Sequence, residues 1–495
     1  MHMNRESLCS TENGQAKYFI KIFVLIELTV LCIFGLYYFS SGDGLYIRDS
    51  DGNIDEFYAT GDVGELAEGT VVEQIYTSQM DCITEAGVLV SDYGKELEGN
   101  LYVRFEDITA GKLLAEGRYP ARDLGEGRYL YLNLPERCEV LRGNQVKITL
   151  TSDCAPQNAP TVCYQAGYQF QNAAVSEQSQ FLVNGAAVQG AMCIIVHGKN
   201  YVWTGSHYRM LIGAAMLGVA VLYWLEVLRV IRGKRSYCFG LVHVLKKYGF
   251  LIQQMIERNF KTRYKRSVLG VFWSFLNPLL LMSVQYIVFS TIFRSNIDNY
   301  PVYLLSGVVV FNFFNEGVGQ ALHSIVGNAS LITKVYIPKY IYPVTRVLSS
   351  GINLLMSLIP LMIAALITGE QLSKAYLMLP YVLICLVIFT IGFGMIMGTA
   401  MTFFRDMQFL WGVMSTLWTY VTPLFYPLSI VPEPAQTVFH YNPMLYFVKA
   451  VRSIVMEQAA PRPIELAMCS ASAAVMLLAG GFIFKRNQDK FVFYI

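Results

Sequence analysis

Lys261-Thr262-Arg263-Tyr264-Lys265-Arg266-Ser267-Val268-Leu269-Gly270-Val271-Phe272-Trp273, followed by Asn277-Pro278, opens an apolar run that continues to Phe293. Four bases stand before the first apolar residue, and Tyr264, Phe272 and Trp273 frame the transition. Lys and Arg stems can lie along apolar surface while their charges stay in water, and Trp and Tyr favour the membrane–water boundary. The stretch reads as an interfacial motif at which a basic segment enters a membrane-spanning helix. Just upstream, residues 241–260 place Leu241, Val244, Leu245, Tyr248, Leu251, Ile252, Met255 and Ile256 at helical spacing, with Lys246, Lys247, Glu257 and Arg258 on or near the other face. That pattern predicts an amphipathic helix lying in the membrane interface. A buried helix of a small cytoplasmic domain is the alternative, for which the flanking spans leave little room.

A helix needs about 20 mostly apolar residues to cross a bilayer. Eight segments of the 495-residue chain qualify: 18–39, 208–230, 268–293, 302–325, 342–368, 375–404, 409–426 and 464–484. Their Lys/Arg bias sets the orientation. Arg5, Lys17 and Lys21, the eleven bases from Arg229 to Arg266, then Lys334, Lys339, Arg346, Arg405, Lys485, Arg486 and Lys490 all fall on one side, and loops on the other side are poorer. Both termini are therefore placed in the cytoplasm and residues 41–207 outside it, in a multi-pass protein of the cell membrane. The first span reads as an uncleaved anchor, because its apolar run exceeds the about 7–15 residues of a signal-peptide core and Glu27 interrupts it. Hydrophobic residues make up 54% of the chain and charged ones 15%, against about 25% charged in soluble proteins. Those figures exclude a disordered chain and argue against an ordinary cytosolic enzyme. The formal net charge of +2 hides an asymmetry: residues 41–207 hold 23 acids and 11 bases, a balance of −12, which leaves +14 for the rest. Topology accounts for that basic surplus, so nucleic acid is not a partner the charge calls for.

The outer region reads as strands and turns. Leu101-Tyr102-Val103-Arg104-Phe105 and Val146-Lys147-Ile148-Thr149-Leu150 alternate with period two, and Tyr129-Leu130-Tyr131-Leu132-Asn133-Leu134 is a further strand. Short strands at this spacing predict an antiparallel, jelly-roll-like β-sandwich, serving either as a glycan-binding module or as a spacer without ligand. Five cysteines fall here, at 82, 138, 154, 163 and 193; Cys154 and Cys163 are close enough in sequence to bridge a loop. No Cys-x-x-Cys occurs, and no metal site is read from the chain. The predicted organisation is a tail and anchor (1–40), the sandwich (41–207), a second span (208–230), a basic linker with the amphipathic helix (231–266) and a six-span core (267–495).

The core resembles the ABC-2 type permease of polysaccharide and polyol-phosphate exporters, which move O-antigens and teichoic acids. Three features carry the resemblance in order: Arg263-Tyr264-Lys265 with Ser267, Leu269-Gly270, Trp273 and Pro278; Ile332-Thr333-Lys334-Val335-Tyr336-Ile337-Pro338-Lys339; and Tyr441-Asn442-Pro443-Met444. It covers about residues 240–495; the first two spans and the sandwich are additions to the simplest members. The resemblance implies a homodimeric permease bound to two ATP-binding subunits, which hold ATP and Mg, and a lipid-linked glycan as cargo. It also implies that short cytoplasmic helices contact the ATPase, making Lys334, Tyr336, Pro338 and Lys339 coupling candidates beside Arg263, Tyr264, Lys265 and Trp273 of the interfacial motif. This chain has no P-loop: Gly-Lys occurs at 94–95, 111–112, 198–199 and 233–234, never followed by Ser or Thr. Neither a catalytic residue nor a cofactor is assigned to it.

Aromatic faces suit the C–H faces of sugar rings, and intramembrane charges are costly enough to mark function. On those grounds Trp273, Phe314 and Glu316 are the candidates for a translocation path, with Glu27 a second intramembrane acid. The alternatives are an ABC-2 exporter of a drug, lipid or peptide, and a membrane glycosyltransferase or sensor in which Asp49-Ser50-Asp51 supplies a paired carboxylate.

Overall fold

The computed structural model describes residues 5–494 apart from 54–58, 60, 93–94, 125–127, 135–140, 167–178, 233–236, 265–268, 271, 294–298, 335–336, 429–430 and 432. The chain forms two compact units, Asp43–His207 and a helical unit made of Met1–Gly42 with Tyr208–Ile495.

The first unit is a pair of antiparallel sheets built from strands β1 Ile47–Asn53, β2 Gly61–Asp62, β3 Val71–Thr77, β4 Cys82–Ser91, β5 Asn100–Asp107, β6 Lys112–Pro120, β7 Arg128–Asn133, β8 Gln145–Ser152, β9 Thr161–Ala166, β10 Gln180–Val183, β11 Ala186–Val188, β12 Gly190–Met192 and β13 Ile194–Tyr201. One sheet runs β1-β13-β4-β9-β12 with β2 on β9 and β7 on β4; the other runs β11-β10-β3-β8-β5-β6. The three strands read from alternation are β5, β7 and β8. Leu101, Val103 and Phe105 of β5 meet Leu130 and Leu132 of β7 and Val146, Ile148 and Leu150 of β8 in one apolar core, which is how period-two sequences bury one face. Cys154 and Cys163 do not bridge to each other. Among the described residues, Cys82 is held in a disulfide.

A short α2 Trp203–Ser206 ends the β-unit; the helical unit contains α1 Arg5–Ser41, α3 Tyr208–Ile231, α4 Tyr237–Tyr264, α5 Phe272–Phe293, α6 Tyr300–Leu322, α7 Ala329–Lys334, α8 Ile341–Ile367, α9 Leu379–Phe403, α10 Met407–Val421, α11 Glu433–His440, α12 Pro443–Val455, α13 Pro463–Asn487 and α14 Phe491–Tyr494. Among the described residues six helical stretches are long and apolar enough to cross a membrane, in α1, α3, α6, α8, α9 and α13. The two further predicted spans fall on α5, whose described apolar run is Phe275–Val288, and on α10. With 15 residues α10 is about 22 Å long, short of the ~30 Å hydrocarbon core. It stops at Val421 because Pro423 drives the residue before it out of the α region, and Thr422 is extended (φ −99°, ψ 125°).

Helix α9 is the hub. Glycines let its neighbours approach: a Cβ on Gly394 would sit 2.7 Å from the Ala321 methyl of α6, and one on Gly398 3.0 Å from the Ala321 carbonyl. On another face Gly392 and Gly480 of α13 meet backbone to backbone. Helix α4 is longer than the amphipathic helix predicted over 241–260, and its stripe has protein partners: Met255, Tyr248, Leu251 and Ile252 join Ile325, Ile341, Tyr342, Phe484 and Phe491 in a second apolar cluster. Those partners come from the turn after α6, the start of α8, the end of α13 and α14, all distant in sequence. The opposite flank leaves Phe250 76% exposed.

Candidate functional site: a polar cavity among membrane helices

Three helices each present one face to a common cavity of about 410 Å³. From α5 come Trp273, Asn277, Pro278 and Leu281; from α6 Val309, Asn312, Phe313, Asn315 and Glu316; from α8 Ser350, Asn353, Leu354 and Ser357. Ser350, Asn353, Leu354 and Ser357 of α8 follow the i, i+3, i+4, i+7 spacing of a single helix face, as do Val309, Asn312, Phe313 and Glu316 of α6. The volume lies in the usual range of small-molecule sites, about 300–1,000 Å³. Seven of the thirteen lining residues are Asn, Ser or Glu, and none is Lys or Arg. Amides and a carboxylate at membrane depth are expensive unless they meet partners or water. One such partner is explicit: Asn353 Nδ2 donates to Glu316 Oε1 at 2.8 Å, tying α8 to α6.

Trp273 and Glu316 thus line one space. Phe314, predicted beside them, does not: it is 0% exposed and sits among Phe389, Phe393, Trp411 and Trp418, with ring centroids 5.1–6.0 Å away. One step along a helix turns a side chain by about 100°, so Phe313 faces the cavity while Phe314 faces α9 and α10. Asn277, Asn312, Asn315 and Asn353 were missed by a search for charges and aromatics; scanning the apolar runs for amides would have found them.

On the coupling segment, Lys334 ends α7 and is exposed, whereas Lys339 Nζ donates to the Gln488 carbonyl at 2.6 Å and so ties the loop to the C-terminal turns. Pro338 and Lys339 are half-buried. Lys265 and Tyr336 lie outside the described residues, as do the side chains of Arg263 and Tyr264, whose backbone ends α4. Asn442 of the third motif caps α12: its Oδ1 accepts from Met444 N at 3.0 Å and from the Trp418 indole at 2.8 Å, and Pro443 takes the first helical position. Arg452 of α12, 9% exposed, donates to the carbonyls of Pro423 (2.9 Å), Leu424 (3.0 Å) and Tyr303 (3.3 Å) and lies 3.5 Å above the Tyr303 ring centre, fixing the loop after α10 to α6.

Residues 251–456, which contain this cavity, the coupling loop and the Asn442 cap, match the ABC-2 type transporter family. An O-antigen export system permease protein RfbA of Klebsiella pneumoniae is 32% identical over 213 residues, covering 42% of this chain and 82% of that protein. The chain belongs to the ABC-2 type transporter family. Its relatives are permease subunits of polysaccharide exporters. RfbA of Myxococcus xanthus is 29% identical over 253 residues, 51% of this chain and 97% of that protein. The polysialic acid transport protein KpsM of Escherichia coli is 21% identical over 253 residues, 50% of this chain and 98% of that protein. These relatives therefore match only about half of the chain, and the family match stays inside the helical unit.

Proposed function

We propose that this ABC-2 permease exports a lipid-linked polysaccharide or glycopolymer from the cytoplasm to the cell exterior, as a homodimer carrying two ATP-binding subunits. The observation that carries the reading is the polar, cation-free cavity of α5, α6 and α8 in a chain whose relatives are named for O-antigen and polysialic acid export. Asn and Ser side chains both donate and accept, so they can exchange hydrogen bonds with passing hydroxyls, while Trp273 offers a ring to their C–H faces. Hydrolysis of ATP, with its Mg, belongs to the partner subunits, and the exposed Lys334 end of α7 is the contact that transmits it. The β-unit lies outside and both termini inside: the Lys/Arg bias supports this, as does a disulfide at Cys82, which persists in oxidising compartments.

The test is complementation of a strain lacking the gene, scored by surface polysaccharide. Glu316→Leu and Lys334→Glu should each lower export at least tenfold with the protein inserted. Lys334→Glu should also release the co-purifying ATP-binding subunit, whereas Glu316→Leu should keep it. Full export by both variants defeats the assignment.

A further inference from the structure

The β-unit carries an aromatic and polar platform on its seven-stranded sheet. Outward positions of β7, β4 and β13 line up in two rows: Tyr131 opposite Gly87 and Gly87 opposite Ile195, then Asn133 opposite Glu85 and Glu85 opposite His197. The rows are two residues apart along each strand, about 7 Å, and neighbouring strands are about 4.8 Å apart. Leu130, Leu132 and Leu134 of β7 point into the core, and alternation turns Tyr131 out, 43% exposed.

Gly87 decides how Tyr131 lies. A Cβ there would stand 3.0 and 3.1 Å from two carbons of the Tyr131 ring, so glycine gives the ring room to lie across the neighbouring strand and a larger residue would push it off by a few tenths of an ångström. The ring is steadied by Tyr129, 6.2 Å away between centroids, and the strand by Tyr119, whose hydroxyl donates to the Tyr131 carbonyl at 2.6 Å. Beside it the Glu85 carboxylate and the His197 ring stand 4.0 Å apart, with 34% and 38% of their side chains exposed, and Asn133 is exposed next to Glu85.

We propose that this platform binds a neutral carbohydrate chain, one sugar ring lying on Tyr131 and its hydroxyls bonded by Glu85, Asn133 and His197. A tyrosine ring set across the sheet matches the C–H side of a pyranose. A carboxylate accepts hydroxyl protons, an amide both donates and accepts, and together they read a polyol within one ring's width. The acid surplus of the unit, −12 over residues 41–207, repels a polyanion and favours an uncharged glycan. That the glycan is the exported chain rests on the exporter reading above; the platform chemistry is independent of it.

The probe is a set of neutral oligosaccharides released from the source organism's surface polysaccharide and labelled at the reducing end, titrated against the full chain in nanodiscs by fluorescence anisotropy. Tyr131→Ala and Glu85→Leu should each weaken binding at least tenfold. Tyr131→Phe, which keeps the ring, should stay within about twofold. Wild-type affinity in Tyr131→Ala, or no binding of any neutral oligosaccharide by the wild type, overturns the proposal. If binding follows Tyr131 while surface polysaccharide is indifferent to loss of the gene, the platform stands and the exporter reading falls. If export requires Glu316 while binding ignores Tyr131, the platform alone falls.

Discussion

Two adjacent glycines of α13 separate helix propensity from helix contact. Replacing glycine by alanine inside a helix gains about 0.8–1.0 kcal/mol from backbone entropy alone. Gly481 has nothing within 4 Å of a would-be Cβ and lies beside the exposed Phe482, so Gly481→Ala should collect that gain. At Gly480 the new methyl would fall inside the van der Waals envelope of the Gly392 carbonyl oxygen and 2.8 Å from its carbonyl carbon. Carbon atoms rest about 3.5–4.0 Å apart, so α9 and α13 would have to part by most of an ångström. These two helices share the most extensive contact in the helical unit. Overpacking of this kind costs about 1–3 kcal/mol, and the atoms in the way are backbone with no rotamer to yield. With rigid backbone in the way the cost falls in the upper half of that range, so the net expectation is a loss of about 1–2 kcal/mol for Gly480→Ala and a gain of up to about 1 kcal/mol for Gly481→Ala. The assay is thermal unfolding in detergent, followed by a thiol-reactive dye that reads exposure of the buried Cys385 of α9 and Cys469 of α13. The midpoints should move in opposite directions. A shift of equal sign and size in both variants refutes the close-approach argument, since it would show that only propensity or lipid contact is at stake.

Arg452→Lys should lower the same midpoint by about 1–3 kcal/mol, because an ammonium cannot reproduce the planar fork on Pro423, Leu424 and Tyr303 and leaves a buried carbonyl unpaired; an unchanged midpoint would show that the clasp is idle. In the β-unit, Asp153 accepts from Asn100 through side chain (3.0 Å) and backbone (2.5 Å) and from Tyr102 (3.0 Å), and these bonds, led by Asn100's, hold its carboxyl below the usual range. A depressed folded pKa contributes stability that is complete above the unfolded value near 4 and is lost as pH falls through the folded one. Asp153→Asn should therefore flatten the acid limb of β-unit unfolding below about pH 4, measured by circular dichroism; a limb identical to the wild type's sinks that account.

The sequence made the strands and most spans legible because one-dimensional periodicity is their cause: alternation placed Leu101, Val103 and Phe105 inside before any partner was known. What periodicity leaves open is which face meets which neighbour. Phe313 and Phe314 are indistinguishable as adjacent aromatics in an apolar run, and only the positions of α9 and α10 send one to the cavity and the other to the interior. Lys334 and Lys339 are equally good positive-inside residues, yet Lys339 is held by a carbonyl 149 positions downstream. The intramembrane amides were visible as letters but carried no weight singly. They acquire meaning when α5, α6 and α8 converge, because the four amides then line one cavity with Glu316, to which Asn353 donates. The same holds for the outer sheet. Tyr129-x-Tyr131-x-Asn133 announces an outward face, but the strand that sets Gly87 beside Tyr131 begins more than forty residues earlier. An unpaired glycine in mid-strand is a weakness on its own; opposite a tyrosine it becomes the space in which a ring can lie. The candidate sites of this chain are such cross-strand and cross-helix coincidences, each built from residues that look ordinary along the sequence.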